Sequence, residues 1–259
     1  FPTRRSSDLF EGPAFHSARW DHDTDLTGKR VAVIGTGASA MQFVPEIAPV
    51  VGELLVFQRT PPWMGPSPDY HDRVSDELQW LYRHVPSYAE WNRFCIFWRL
   101  GDGSIAGVTV DPDWDGGGES VSAINDFLRQ MLLGYITEQF RDRPDLLEAC
   151  TPHYPPGAKR IVRDAGGWAA ALKGDNARVL DGTGIRAITP RGIVTADGTE
   201  EEVDVIIYGT GFTASNFLTP MTVKGREGLD LHDHWAGDAR AYLGLAVPDF
   251  PNFFCLYGP

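Results

Sequence analysis

The chain has 259 residues, 42% of them hydrophobic, and a net charge of −12 from 35 acidic and 23 basic side chains. That is enough apolar content to pack one large domain or two ordinary ones, and the acidic balance argues against a nucleic-acid or anionic-membrane surface. No run of about 18 apolar residues exists to span a bilayer. Cys95, Cys150 and Cys255 are scattered without metal or redox spacing, which suits a reducing cytoplasm and excludes a disulfide reductase.

In chain order, residues 1–9 lack apolar periodicity, and no apolar stretch follows Arg4 and Arg5 as in a signal peptide. They read as a foreign leader. Beyond a linker, Val31-Ala32-Val33-Ile34 has the β-branched character of a buried parallel strand. Gly35-Thr36-Gly37-Ala38-Ser39-Ala40 follows and leads into helix-forming residues that include Gln42. In this G-x-G-x-x-A pattern Gly35 allows a tight turn, Gly37 leaves room for a pyrophosphate, and Ala40 permits close helix–strand packing. The free N–H groups and dipole of the helix start favour phosphate. Alone, the pattern also fits an ordinary strand-to-helix turn.

A second strand, Glu53 to Phe57, ends in Gln58-Arg59-Thr60. An NAD-preferring fold places an acid roughly 20 residues past the glycines to accept from the ribose 2′-hydroxyl. Arg59 stands there instead, and a guanidinium grips a 2′-phosphate where a carboxylate would repel it. NADPH is therefore expected over NADH, the alternative being a solvated arginine after a strand.

After Trp63 the strand–helix rhythm stops, and residues 64–150 read as a helical insertion. Its patterns are Val74, Leu78, Leu81 and Val85, then an aromatic stretch from Tyr88 to Leu100. A third places Val121, Ile124, Leu128, Met131, Leu132, Tyr135 and Ile136 on one face. Their aromatic side chains are expected in the helix core. Asp111 to Gly118 reads as a loop. Strands resume at Ala177 to Leu180, at Gly184 to Thr189 paired with Gly192 to Thr195, and at Val203 to Tyr208. The closing Phe253 to Pro259 breaks off at a turn, so an internal piece of a longer protein is expected.

Several motifs together resemble one family. Phe10-x-Gly12-x-x-x-His16-x-x-x-Trp20-Asp21 is similar to the fingerprint of the Baeyer–Villiger monooxygenases, many of which have Pro where Asp21 stands. Tyr154-Pro155-Pro156-Gly157-Ala158-Lys159-Arg160 resembles the segment bearing that family's active-site arginine. Asp204 to Phe212, with Gly209-Thr210-Gly211, resembles its return to the FAD domain, and Phe250 to Pro259 a later FAD-domain strand. Residues 119–160 look most like the branch that includes hydroxyacetophenone monooxygenase.

The resemblance implies an α/β fold, with a Rossmann-type NADPH-binding domain at 29–208, a linker at 10–28 and an incomplete return to the FAD domain at 209–259. It implies FAD and NADPH as cofactors and a ketone and O2 as substrates. Arg160 would stabilise the negative charge that develops beside the ketone carbonyl, because it stays protonated at any working pH. By the resemblance Lys159 would help bind the 2′-phosphate, and it would join Gly35, Thr36, Gly37, Ala38, Ser39, Ala40, Gln42, Arg59, Thr60, Gly209, Thr210 and Gly211 around the cofactors. If the segment is extended, Lys159 and Arg160 point in different directions. Of the fingerprint residues Phe10, Gly12, His16 and Trp20, His16 has a hinge reading and a structural one, the second preferred. Gly12 would serve backbone geometry, Trp20 packing, and His22 would be solvated. The family's earlier FAD-binding glycine loop has no counterpart before Phe10, so the chain alone is expected not to oxygenate. The alternatives are a flavin monooxygenase acting on nitrogen or sulfur, and an NADPH-binding module without activity.

Overall fold

A computed structural model describes residues 9–68, 70–213, 216–256 and 258–259. The expected leader therefore lies, Leu9 apart, outside the described residues. The chain divides into two units, Phe1–Thr210 and Gly211–Pro259.

The first unit is built on a five-stranded parallel sheet. Its strands are β1 (Ala14–His16), β2 (Arg30–Ile34), β3 (Glu53–Gln58), β6 (Ala177–Asp181) and β10 (Val205–Tyr208), in the order β1-β10-β2-β3-β6. The side-chain period of two divides each central strand between two cores. Val31, Val33, Leu54, Val56, Val205 and Ile207 face one core with α1 (Ala38–Ile47) and α6 (Gly167–Leu172). Ala32, Ile34, Leu55, Phe57 and Ile206 face the other, where Phe10, Ile188 and Ile193 meet them. Ile188 and Ile193 belong to a small antiparallel sheet of β7 (Ile185–Ile188), β8 (Gly192–Thr195) and β9 (Glu200–Glu202). Buried on both faces, the central strands carry the continuous apolar runs that parallel sheets require. This is the α/β class expected.

The helices interrupting the sheet leave and return through neighbouring strands. β4 (Met64–Pro66) pairs in parallel with β5 (Val162–Asp164). Between them lie α2 (Asp76–His84), α3 (Tyr88–Leu100), α4 (Ala123–Phe140) and α5 (Pro144–Cys150). Two expectations fail here. The aromatic side chains are not core: α2 has no buried residue, and Trp80, Trp91, Phe94, Phe97 and Trp98 are all about half exposed or more. On α4, Ile124 and Met131 point outward, and the buried stripe is Asn125, Leu132, Ile136 and Phe140. An 18-residue helix carries apolar side chains all round, so hydrophobicity alone does not pick its buried face. Among the described residues no helix is long and apolar enough to cross a membrane.

The second unit centres on Leu231, Trp235, Val247 and Phe250. Its short helix α7 (Leu231–Trp235) is capped by Asp230, which accepts from the His232 and Asp233 N–H groups.

Candidate functional site

β2 ends at the centre of the parallel sheet, between β10 on one side and β3 on the other, where the strand order reverses. In such sheets the crevice beyond the strand ends is the natural ligand position. Gly35 turns there with φ +104°, and its N–H donates to Phe57 O at 2.9 Å. A Cβ on Gly35 would lie 2.7 Å from the Gly209 carbonyl oxygen, so the turns after β2 and β10 touch through backbone. Gly209 donates to Ile34 O at 2.9 Å and lies against Ala40. Only a small side chain fits at 40, and Ala40 is fully buried.

Gly37 starts α1 with no side-chain cap, no acid in the first turn, and open space where its Cβ would be. These features suit a phosphate approaching the Ala38, Ser39 and Ala40 N–H groups. Gln42 is exposed and bonds back to Ala38 O at 3.0 Å. Thr36 is buried and its hydroxyl reaches Thr60 O at 3.5 Å, joining this turn to the one after β3. Thr210 is exposed at the end of this unit, and Gly211 opens the next with φ +77°.

Arg59, exposed beyond β3, lies near Lys159 although 100 positions separate them. Partial burial, and then the charge of Arg59, lowers the Lys159 pKa from its ordinary value. Neither cation has an ion-pair partner among the described residues. Two positive groups near each other without a carboxylate suit an anion. The segment that carries Lys159 is not extended: it turns at Pro156-Gly157 and bends at Ala158-Lys159.

Side chains from distant positions brace that segment. The Trp63 indole N–H donates to Tyr154 O at 2.8 Å, and the Tyr154 hydroxyl donates to Pro61 O at 3.0 Å. The Tyr154 ring lies 4.9 Å from Lys159 Nζ. Asn125, fully buried, donates to Gly107 O at 2.6 Å and Pro156 O at 2.9 Å. Glu119 accepts from Arg129 and pairs with His153 at 2.8 Å; the His153 bond leads in holding its carboxyl below the usual range. Arg160 is exposed and has no hydrogen-bonded or ion-paired partner among the described residues.

The fingerprint residues have structural contacts. Phe10 is in the core, and a Cβ on Gly12 would lie 2.5 Å from Asp204 O. Trp20 packs edge-on against Phe15 and against Phe43 of α1, each at 5.2 Å. His16 ends the edge strand β1, and its Nδ1 accepts from the Ala18 N–H at 3.1 Å. His22 is exposed.

No protein-family model matches the chain. It is 41% identical over 259 residues to a Baeyer–Villiger monooxygenase of Pseudomonas aeruginosa, covering 100% of this chain and 46% of that protein. The chain is homologous to part of the Baeyer–Villiger monooxygenases. It is also 41% identical over 251 residues to an uncharacterized monooxygenase of Sinorhizobium fredii, covering 96% of this chain and 38% of the relative. The solved complex of OTEMO with FAD and NADP matches with a TM-score of 0.77 at 32% identity, over 100% of this chain and 53% of that one. The chain thus spans less than half the length of these two relatives.

Asn125, Trp63 and the bracing role of Tyr154 were not singled out from sequence. For Asn125 a signal existed: a polar residue at position 125 continues the spacing of Leu128, Leu132 and Ile136.

Proposed function

We propose that this chain is the NADPH-binding part of a cytoplasmic Baeyer–Villiger monooxygenase that uses FAD, NADPH and O2 to turn a ketone into an ester or lactone. The observation that carries the coenzyme reading is the proximity of Arg59 and Lys159 beyond β3, two cations without a carboxylate. The open Gly37 backbone and the uncapped start of α1 fit the pyrophosphate. Bound NADPH supplies a hydride, and bound FAD supplies the oxygen chemistry.

In this reading the helix start takes the pyrophosphate and Arg59 with Lys159 takes the 2′-phosphate. Arg160, exposed and without a side-chain partner, serves charge developing at the ketone, and the two arginines face opposite ends of one coenzyme. His16 keeps the structural role in this reading, its Nδ1 accepting from the Ala18 N–H. The free thiols of all three cysteines support a reducing location. The resemblance of residues 119–160 to the hydroxyacetophenone monooxygenase branch favours an aryl ketone.

Arg59→Ala or Lys159→Ala is expected to raise the NADP⁺ dissociation constant about tenfold or more while NAD⁺ binding stays within about twofold. Equal effects on both coenzymes would refute the assignment. In the complete enzyme, Arg160→Ala should leave flavin reduction intact and abolish ester formation.

A further inference from the structure

We propose that Tyr154 is a positioning residue: it clamps the Arg59 loop to the Lys159 segment and so sets the spacing of the two cations that receive the 2′-phosphate. The inference rests on the NADPH reading above. Arg59 and Lys159 both stand outside helix and strand, and like charges repel, so their proximity needs a restraint. Tyr154 supplies it from three directions. Its hydroxyl holds Pro61, two residues after Arg59, at 3.0 Å. Its carbonyl takes the indole N–H of the fully buried Trp63 at 2.8 Å. Its ring lies under the Lys159 ammonium at 4.9 Å.

A lysine stem samples many rotamers, and a ring beneath the ammonium narrows that choice before any anion arrives. The same contact attracts the cation that the neighbouring guanidinium repels. Burial raises the Tyr154 phenol pKa, so the group stays a neutral donor to Pro61. The site is therefore organised for a phosphate monoester before one binds, which lowers the ordering cost of binding.

The experiment titrates NADP⁺ and NAD⁺ against the whole protein carrying Tyr154→Leu, Tyr154→Phe, Arg59→Ala or Lys159→Ala, with folding checked by circular dichroism. Tyr154→Leu, which removes ring and hydroxyl, is expected to weaken NADP⁺ about tenfold and NAD⁺ less than about twofold. Tyr154→Phe keeps the ring and loses only the Pro61 bond, so a loss of about threefold confined to NADP⁺ is expected. Should Tyr154→Leu fail to fold, the phenylalanine variant carries the test. Equal weakening of both coenzymes, or none, overturns the proposal. If Arg59→Ala and Lys159→Ala leave the NADP⁺ to NAD⁺ ratio unchanged, the NADPH reading falls and this inference with it. If they lower the ratio and the Tyr154 variants do not, this inference alone falls.

Discussion

Around Gly35 the molecule makes its turn and open helix start from backbone. A positive φ, the touch of the Gly209 carbonyl and a bare helix start shape it, with the small side chains of Thr36 and Ala40 beside them. Around Lys159 the arrangement is the reverse. That segment has turns and bends but no regular hydrogen-bond ladder, so its shape comes from the side chains of Trp63, Tyr154, Asn125 and Glu119. A backbone site tolerates almost any surface change but no Cβ at the wrong place. A braced loop tolerates backbone variety but depends on a few buried side chains from distant positions.

The largest effect should follow from cutting the deepest brace. Trp63 is fully buried and holds both Tyr154 O and, through its own carbonyl, Val162 N. Trp63→Ala is expected to cost about 3–5 kcal/mol of stability, read from urea unfolding. Gly35→Ala comes next, at about 2–4 kcal/mol, because the left-handed turn is strained and the new methyl meets the Gly209 carbonyl. Gly35→Ala should also weaken NADP⁺ and NAD⁺ alike, whereas damage to the Lys159 segment should separate them. A Gly35→Ala protein that discriminates between the coenzymes as the Tyr154 variants do would erase the distinction.

Asn125→Ala should cost about 1–3 kcal/mol, since the carbonyls of Gly107 and Pro156 and the Val121 N–H lose a buried partner. A smaller effect belongs to the start of the inner strands β2 and β10. The hydrogen bond from the Arg30 guanidinium, and then that from the Arg30 backbone N–H, hold the Asp204 carboxyl below its ordinary range. A depressed folded pKa gives stability that is present above the unfolded value of about 3.9 and lost as pH falls through the lower folded one. Asp204→Asn should therefore flatten that acid limb, measured as urea midpoint against pH, and a limb of unchanged slope would show that the pair contributes nothing.

The same contrast explains what could be read in advance. The central strands were legible because residues buried on both faces must be apolar throughout, and the glycine turn because only glycine meets its φ and close approach. The edge strand Ala14–His16 was not, being three residues long and paired among the described strands with β10. Arg59 and Lys159 were brought to one 2′-phosphate by the resemblance alone, because the contacts between their segments join residues 91 positions apart. Tertiary bracing of that kind leaves no local spacing. The aromatic helices misled for a related reason: tryptophan and phenylalanine signal burial without saying by what.

Trp91 tests that last point with the smallest effect and the sharpest contrast to Trp63. It stands on α3, 64% exposed, stacked on Phe94 at 5.5 Å, and Phe94 in turn stacks on Trp98 at 6.1 Å. Contacts of this kind at a water-facing surface contribute little, because removing the ring leaves no cavity and strands no polar group. Trp91→Ser is therefore expected to move the unfolding free energy by less than about 0.5 kcal/mol, roughly a tenth of the Trp63→Ala loss. The two substitutions remove the same side chain from one protein, so their difference isolates surroundings from residue type. A Trp91→Ser loss approaching that of Trp63→Ala would mean the face carrying Trp91, Phe94 and Trp98 is packed in solution, and the division between a braced interior and an open helical surface would have to be redrawn.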